Sequence, residues 1–312
     1  MPEFPRNYAL KIRLFYDDVY EEYQNCTAFS LEREAYTPYD TVTATLPADA
    51  ISSRRISRIG VWLGETRIFL GLVDSIRFYF SNQKKFLRIR SKSFTSLLIQ
   101  NELPSGLHSN LTIHDLLENF YQFPYITYED FPNTGYLFVK SGNTMWDGIV
   151  SFSYKLTGHY PYVMQNHICL SKPKGDYSTE FTPDQILEYG TIQEYSKMIS
   201  HYHMSDLLDT PDAFIEQNPL AGKAEIVRHK HIDFDQSFRH APQLALTYRN
   251  AYSNRGCRAD YLVYDGFYNE QIGHKITYDQ IQDQMVCKVQ AVFNSQGFRT
   301  KLICYQDGFY NN

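Results

Sequence analysis

Apolar and polar residues alternate in short segments through the first third of the chain, and brief polar turns separate these segments. The clearest series covers residues 61–103, with alternating segments at 61–63, 67–73, 74–80 and 86–92; residues 94–99 end the series, and a short helix-like cap is expected to follow the strands. Earlier segments with the same period of two lie at 8–16, 26–33 and 41–46. Such alternation is typical of antiparallel strands with one buried face. The pattern predicts a small β-barrel-like domain over residues 1–105.

The spacing of apolar residues becomes helical after this region. A first helical face is formed by Ile113, Leu116, Leu117 and Phe120. Thr112 is its predicted N-cap, and Asp115 lies in the first turn, where the helix dipole favours an acid. A second helix is predicted to start after the polar turn at 142–144 and to end at Gly158, with a strand over 160–170 behind it. These elements predict an inserted α/β module over residues 106–175.

The last region, residues 176–312, returns to strand patterns. Strands are predicted at 192–204, 257–264, 285–294 and 297–305, with a short connection at 212–218. The segment 241–252 is predicted to be a short helix, because Pro242 fits its first turn. The whole chain is therefore predicted to be α+β and mostly β: two small antiparallel β-barrel-like domains with an inserted α/β module.

Aromatic residues make up 16% of the 312-residue chain, including 26 Tyr and 21 Phe. Tyrosine suits half-buried sheets and wet interfaces, because its ring is apolar and its hydroxyl is polar. Packing within a β-rich fold and an extensive interaction surface are two compatible interpretations. The net charge of −5, without a run of like charges, argues against general nucleic-acid binding.

The five cysteines are scattered and never form a CxxC pair: Cys26, Cys169, Cys257, Cys287 and Cys304. A disulfide framework or a zinc ribbon is therefore not expected, and synthesis in a reducing cytoplasm is favoured. The sequence has neither a signal-peptide pattern nor an apolar run long enough to span a membrane. We expect a soluble protein that is made inside a cell and does not insert into membranes.

Three segments, 91–98 (SKSFTSLL), 111–117 (LTIHDLL) and 139–149 (VKSGNTMWDGI), together resemble parts of the late-control D-like group of phage baseplate hub proteins, which also occur in phage-derived contractile particles. Residues 91–98 (SKSFTSLL) resemble the point where the first barrel of that group passes into an inserted module. Residues 111–117 (LTIHDLL) are similar to the first module helix, and 139–149 (VKSGNTMWDGI) to the turn that starts the second. Residues 155–162 fit the following turn into a strand. Asn143 stands where the group commonly has an acidic residue.

The resemblance covers residues 61–170 well and the remainder by the order of elements. It implies a homotrimer in which the two β domains of each chain form a pseudo-sixfold ring. Such a ring adapts a sixfold tail tube to a threefold spike or fibre. The tail tube and the spike or fibre would then be the partners. The resemblance implies binding roles and no catalytic residues, with assembly in the host cytoplasm before incorporation into the virion tail or a phage-like particle.

Two pairs of histidines are the candidate metal ligands: His201 with His203, and His229 with His231. Alternate residues of a strand share a face, so each pair would present two imidazoles together, as a transition metal requires. Asp206, Asp233 and Asp235 lie close in sequence and could complete a site. We favour the interpretation that these are polar residues of exposed strands, because a hydrolase motif such as HExxH is absent from the sequence. The sequence thus predicts no metal, no cofactor and no catalytic residue.

Two further features of the sequence are candidates for a catalytic role. The carboxylate pairs Glu21 with Glu22 and Glu32 with Glu34 could mimic a glycosidase dyad, although solvated strand faces are the favoured interpretation. Cys257 has Arg255 and Arg258 as neighbours, which would lower the pKa of its thiol. A strand-end cysteine without a function is the preferred interpretation there.

The leading functional prediction is a non-enzymatic tail protein, a baseplate hub that self-associates into a ring. One alternative is a tail-associated cell-wall hydrolase that uses a histidine-carboxylate site in the last region. Another is a carbohydrate-binding tail protein whose exposed aromatic rings stack on sugars. For the hub, aromatic strand edges such as residues 78–80 are the predicted interface.

Overall fold

The computed structural model describes residues 10–17, 19–48 and 55–309. The strands of the first part are β1 (Leu10–Tyr16), β2 (Val19–Tyr23), β3 (Ala28–Glu34), β4 (Thr41–Pro47), β5 (Arg58–Leu63), β6 (Thr66–Ser81) and β7 (Lys84–Ser93). Those of the middle part are β8 (Gly106–Leu111), β9 (Thr127–Tyr128), β10 (Gly135–Val139), β11 (Tyr162–Met164) and β12 (His167–Cys169). The last part contributes β13 (Ser178–Glu180), β14 (Ile186–Gln193), β15 (His201–Met204), β16 (Phe214–Gln217), β17 (His229–Ile232), β18 (Arg258–Asp265), β19 (Lys275–Tyr278), β20 (Ile281–Met285), β21 (Lys288–Asn294) and β22 (Gly297–Tyr305).

Within the described ranges, four α-helices accompany the strands: α1 (Leu97–Gln100), α2 (Met145–Thr157), α3 (Pro219–Lys223) and α4 (Pro242–Asn254). Short 3-10 turns lie at Phe94–Ser96, Pro183–Gln185 and Gln236–Phe238, and a π-helical turn lies at Asp115–Asn119. The chain is therefore mostly β, as the alternating pattern predicted.

One large antiparallel sheet dominates the molecule. Its eleven strands follow the order β14-β18-β22-β21-β3-β4-β7-β6-β5-β1-β2. The pairing of β21 with β3 sets Lys288 opposite Glu34 and Phe293 opposite Phe29. This pairing joins the first and last regions of the sequence into a single sheet.

The main core follows from the alternation within the strands. In β1, Leu10, Ile12 and Leu14 are buried, while the residues between them are only partly buried. The same apolar cluster continues across the junction of β3 and β21 to Val289 and Leu302. Removal of this apolar surface from water is the main stabilising contribution to the large sheet.

The middle region packs around α2, whose ends are fixed by the residues that the sequence predicted. The Thr144 hydroxyl accepts a hydrogen bond from the Asp147 backbone N–H at 3.1 Å, and the Asp147 carboxylate accepts from the Thr144 backbone N–H at 2.9 Å. Gly158 ends the helix with φ of 73°, a left-handed conformation that glycine adopts easily. Ile149 and Phe152 face inward and are fully buried.

A cluster of aromatic rings connects all three regions of the sequence. Tyr160 of the middle region lies 5.0 Å from Tyr36, 5.5 Å from Tyr252 and 5.5 Å from Phe309, measured between ring centroids. Tyr36 and Tyr160 are both buried. Part of the tyrosine content is thus accounted for by internal packing, as one of the two interpretations of the composition expected.

Four element predictions need correction. The strand expected over 160–170 is a hairpin of two short strands, β11 and β12, which pair antiparallel. The helix expected after Thr112 is only a short helical segment, because a π-turn replaces regular α-helix from Asp115. The strand expected at 192–204 is interrupted by turns between Gln193 and His201. The expected connection at 212–218 contains strand β16, which pairs with β15. In the last two cases, tertiary pairing outweighs local pattern.

Candidate histidine site and exposed strand edge

A three-stranded sheet in the order β16-β15-β17 brings the four predicted histidines together. β15 and β17 are parallel, and their register sets His201 opposite His229 and His203 opposite His231. We call this surface the histidine face; it consists of His201, His203, His229 and His231. The sequence predicted the two pairs separately, and the strand pairing makes them one group.

The other side of β15 is held against the protein interior. Tyr202 and Met204 alternate with the histidines and are buried against Leu246 of α4 and Phe238. Because the strand alternates, this packing directs the His201 and His203 side chains away from the core. The buried side chains of Tyr202 and Met204 therefore hold in place the strand that carries His201 and His203.

The four rings of the histidine face are stacked in one connected series. Ring centroids are 4.5 Å apart for His201 with His229 and for His203 with His231. The Nε2 atom of His203 lies 2.9 Å from Nδ1 of His229, within hydrogen-bond distance. Asp212, in the loop before β16, approaches from one end: its Oδ1 lies 3.0 Å from Nδ1 of His203 and 3.5 Å from Nδ1 of His231.

The electrostatic environment favours neutral imidazole at His229. Desolvation, followed by the neighbouring imidazoles of His201, His203 and His231, lowers the pKa of His229 below its usual value. The carboxylate of Asp212 acts in the opposite direction but is the smaller effect. Neutral imidazole is the form that binds metal ions.

The carboxylate at this site is not one that the sequence singled out. Asp206 caps its own turn by accepting hydrogen bonds from the backbone N–H groups of Leu208 and Thr210. Asp235 pairs with Arg249 at 2.7 Å. Among the described residues, the group with metal-ligand spacing is His203, Asp212 and His231, so Asp233 lies outside it. Asp212 was missed because its loop bends back over nine residues, with φ of 56° at Asp212 itself.

The other candidate groups are engaged in structural contacts. Glu22 pairs with Arg13 at 2.8 Å, and Glu32 and Glu34 both approach Lys288, at 2.5 and 3.7 Å. Cys257 is buried, and burial raises the pKa of its thiol to about 11. The expected lowering by the flanking arginines is wrong, because desolvation outweighs the contribution of Arg255.

The aromatic edge predicted at residues 78–80 lies on a projecting pair of strands. β6 pairs with β5 only as far as Leu72, whereas it pairs with β7 on to Ser81. Within the described residues, the segment Ser75–Ser81 therefore has one edge without a ladder partner. Ile76, Phe78 and Phe80 share one face of this segment and are 38%, 44% and 78% exposed. We call this segment the β6 arm.

Among the residues that the structure describes, no helix has the length and apolar character needed to cross a bilayer.

No protein-family model matches this sequence, and a search of curated proteins likewise gave no match. Solved structures do match. The chain is similar to a tail protein from Neisseria meningitidis MC58 with a TM-score of 0.74 and 13% identity over 98% of both chains. It is similar to the 43 kDa tail protein of prophage MuSo2 from Shewanella oneidensis with a TM-score of 0.69 and 11% identity, over 95% of this chain and 98% of that one.

A chain of the Francisella PdpA-VgrG complex is also similar, with a TM-score of 0.56 and 11% identity over 97% of this chain and 58% of that one. Identities this low establish the fold and leave the function open. The chain therefore has the fold of phage and prophage tail proteins, and the resemblance to this group that the sequence predicted is confirmed at the level of the fold.

Proposed function

We propose that this chain is a baseplate hub: a non-enzymatic, structural tail protein that forms a homotrimeric ring between the tail tube and the central spike or fibre. The observation that carries this proposal is the match to a tail protein over 98% of both chains. A match of this extent includes every region of the sequence, and the shared architecture is not limited to one common β motif.

A pseudo-sixfold ring needs two comparable units from each chain. We assign one unit to the predicted domain 1–105 and the other to 176–312, with the module 106–175 inserted between them. The pairing of β3 with β21 supports this arrangement, because it places the two units side by side. Each unit is proposed to be barrel-like in the assembled ring.

The surface at the junction of the two units carries charged side chains, as the lining of a channel should. An open cleft there is lined by strands β3, β4, β7, β18, β21 and β22. Its charged side chains have both signs and include Glu32, Arg90, Asp265 and Lys301. A mixed, solvated surface of this kind suits the wall of a water-filled opening better than a subunit contact, which would be depleted of charge at its centre.

The β6 arm is the surface that we assign to subunit contact. Its free edge offers backbone N–H and C=O groups, and its exposed face carries Ile76, Phe78 and Phe80. A second chain could pair with such an edge and cover the apolar face, which is strand addition. The partners beyond the ring are proposed to be the tube and the spike or fibre. The similarity to a chain of a PdpA-VgrG complex supports a partner of the spike type.

The proposed location follows from this role. The chain would be made and assembled in the host cytoplasm and then incorporated into the virion tail or a phage-like particle. It would bind neither nucleic acid nor membranes.

The absolute mass of the purified protein, measured by light scattering, tests the proposal. A mass of three times the 36.6 kDa chain supports the hub. A dimer, or a monomer that stays monomeric when tube and spike proteins are added, would contradict it. Clearing of bacterial cell walls that is lost in His229→Ala would instead favour the hydrolase, and saturable glycan binding by a monomer would favour the carbohydrate-binding alternative.

A further inference from the structure

We propose that His203, His231 and Asp212 bind one divalent transition cation of the Zn²⁺ class, which joins β15, β17 and the loop before β16. This inference is independent of the hub proposal, because it concerns three side chains of a single protomer.

The spacing of the three donor atoms fits a single ion. One donor atom from each residue lies within 4.8 Å of the other two. In a tetrahedral zinc site with bonds of about 2.0–2.1 Å, neighbouring donors are roughly 3.3 Å apart. The distances from Asp212 Oδ1 to Nδ1 of His203 and of His231, 3.0 and 3.5 Å, lie on either side of that value.

A second observation comes from His203, whose Nδ1 atom is buried and makes no hydrogen bond. The proximity of this atom to Asp212, 3.0 Å, therefore lacks the geometry of a donated hydrogen bond. A buried nitrogen without a partner is unfavourable unless something else satisfies its lone pair. A cation between Nδ1 and the Asp212 carboxylate would do so.

His229 has the position of an orienting residue for this site. Its Nδ1 lies 2.9 Å from Nε2 of His203. With the ion on Nδ1 of His203, the proton of that ring is on Nε2, and His229 is the acceptor. A hydrogen bond of this kind fixes the tautomer in which Nδ1 of His203 is the free ligand atom.

The donor set selects the class of cation. Two imidazoles with one carboxylate suit Zn²⁺ and related transition ions, whereas Mg²⁺ and Ca²⁺ prefer oxygen ligands throughout. Three protein ligands leave a fourth position for water. The ion would fix the loop to the sheet, because its ligands come from the two strands β15 and β17 and from the loop before β16.

The test is a calorimetric titration of the metal-free full-length protein with ZnCl₂, together with thermal unfolding with and without Zn²⁺. We expect one Zn²⁺ per chain, a higher melting temperature with Zn²⁺, and no comparable effect of Mg²⁺. Asp212→Asn and His231→Ala should abolish the site; both residues are substantially exposed, so the variants should fold. His229→Gln should weaken binding by about 10–100-fold, as loss of an orienting partner does.

The matched control is His201→Gln, which changes a residue of the same histidine face that is not a proposed ligand. Its Nδ1 lies 3.0 Å from the Ser200 hydroxyl. We expect this variant to bind Zn²⁺ like the wild type. The proposal is overturned if Zn²⁺ does not bind, or if His201→Gln weakens binding as much as Asp212→Asn does, since that would indicate nonspecific binding by a histidine-rich surface.

Discussion

Arg33 lies on β3, beside the junction between the first and last parts of the large sheet, and is only 1% exposed. Its guanidinium pairs with Asp40 at 3.2 Å and donates to the backbone carbonyls of Ile68 and Glu270 at 2.7 and 2.6 Å. These groups come from both ends of the sequence. One buried cation therefore links the first region to the last.

We expect Arg33→Met to destabilise the protein by about 3–5 kcal/mol, because it leaves the buried Asp40 carboxylate without its cation. Urea unfolding measures the change. The matched control is Arg299→Met, since Arg299 pairs with Asp265 on the surface and both are largely exposed; its effect should be no more than about 1 kcal/mol. Equal effects of the two substitutions would show that the buried ion pair contributes no more to stability than the exposed one.

Glu270 predicts a dependence of stability on pH. It is buried, accepts a hydrogen bond from the Tyr264 hydroxyl, and lies near the Arg33 guanidinium, which already pairs with Asp40. Burial raises the pKa of Glu270 above its ordinary value of 4.5, so the folded chain retains a proton that the unfolded chain releases. The contribution of this proton to stability is present below pH 4.5 and is lost as the pH rises through the raised pKa.

The measurement is urea unfolding of the wild type and Glu270→Gln, from pH 4.5 to neutral pH. The amide cannot titrate, so the wild type should lose stability relative to the variant as the pH rises, by at most about 1.4 kcal/mol per pH unit. Parallel stability curves for the two proteins would contradict the raised pKa.

The sequence contains a signal for Arg33 that could have been used. Phe29, Leu31 and Arg33 share the inward face of β3 by alternation, so an arginine in phase with apolar residues indicates a buried cation. Asp212 carries no such signal, because its place beside His203 depends on the path of a loop. Local periodicity predicts which way a side chain faces, whereas it does not predict which distant group it meets.

At the scale of elements, α2 was predicted accurately because its signals are local. Thr144, Asp147 and Gly158 specify its ends through hydrogen bonds and backbone conformation within the helix itself. The β6–β7 and β21–β22 hairpins were predictable for the same reason. The pairing of β15 with β16 and β17 was not, because four-residue strands carry little pattern and depend on partners distant in the sequence.

We expect Thr144→Ala to destabilise the protein by about 1 kcal/mol, because the Asp147 N–H loses its acceptor and the Asp147 carboxylate loses the hydrogen bond from the Thr144 hydroxyl. Chemical unfolding of the wild type and the variant measures the difference. Thr144→Ser is the control: it keeps the hydroxyl and should retain most of the stability. If the serine variant were as unstable as the alanine variant, packing of the threonine methyl group, and not the cap, would be responsible.

At the scale of the whole molecule, the large sheet joins strands that lie far apart in the sequence. Because β21 pairs with β3, strands from the first and last parts of the sequence form one continuous sheet. The β6 arm, our proposed subunit contact, and the charged cleft, our proposed channel wall, therefore belong to the same hydrogen-bonded sheet. A closed symmetric ring needs its contact surface and its opening at set positions on each subunit.

The β6 arm is the proposed subunit contact, so a charge placed there should weaken the assembly. If a neighbouring chain covers Ile76, Phe78 and Phe80, then Phe80→Asp places a charge in a desolvated contact and should weaken association by more than about 2 kcal/mol. The fold of the protomer should survive, because Phe80 is 78% exposed. Light scattering over a range of concentrations should show the trimer dissociating to the 36.6 kDa chain.

Val227→Asp is the matched control, since Val227 is equally exposed at 78% but lies just before β17, outside the arm. A trimer that withstands Phe80→Asp but dissociates with Val227→Asp would move the subunit contact from the arm to the region of the histidine face.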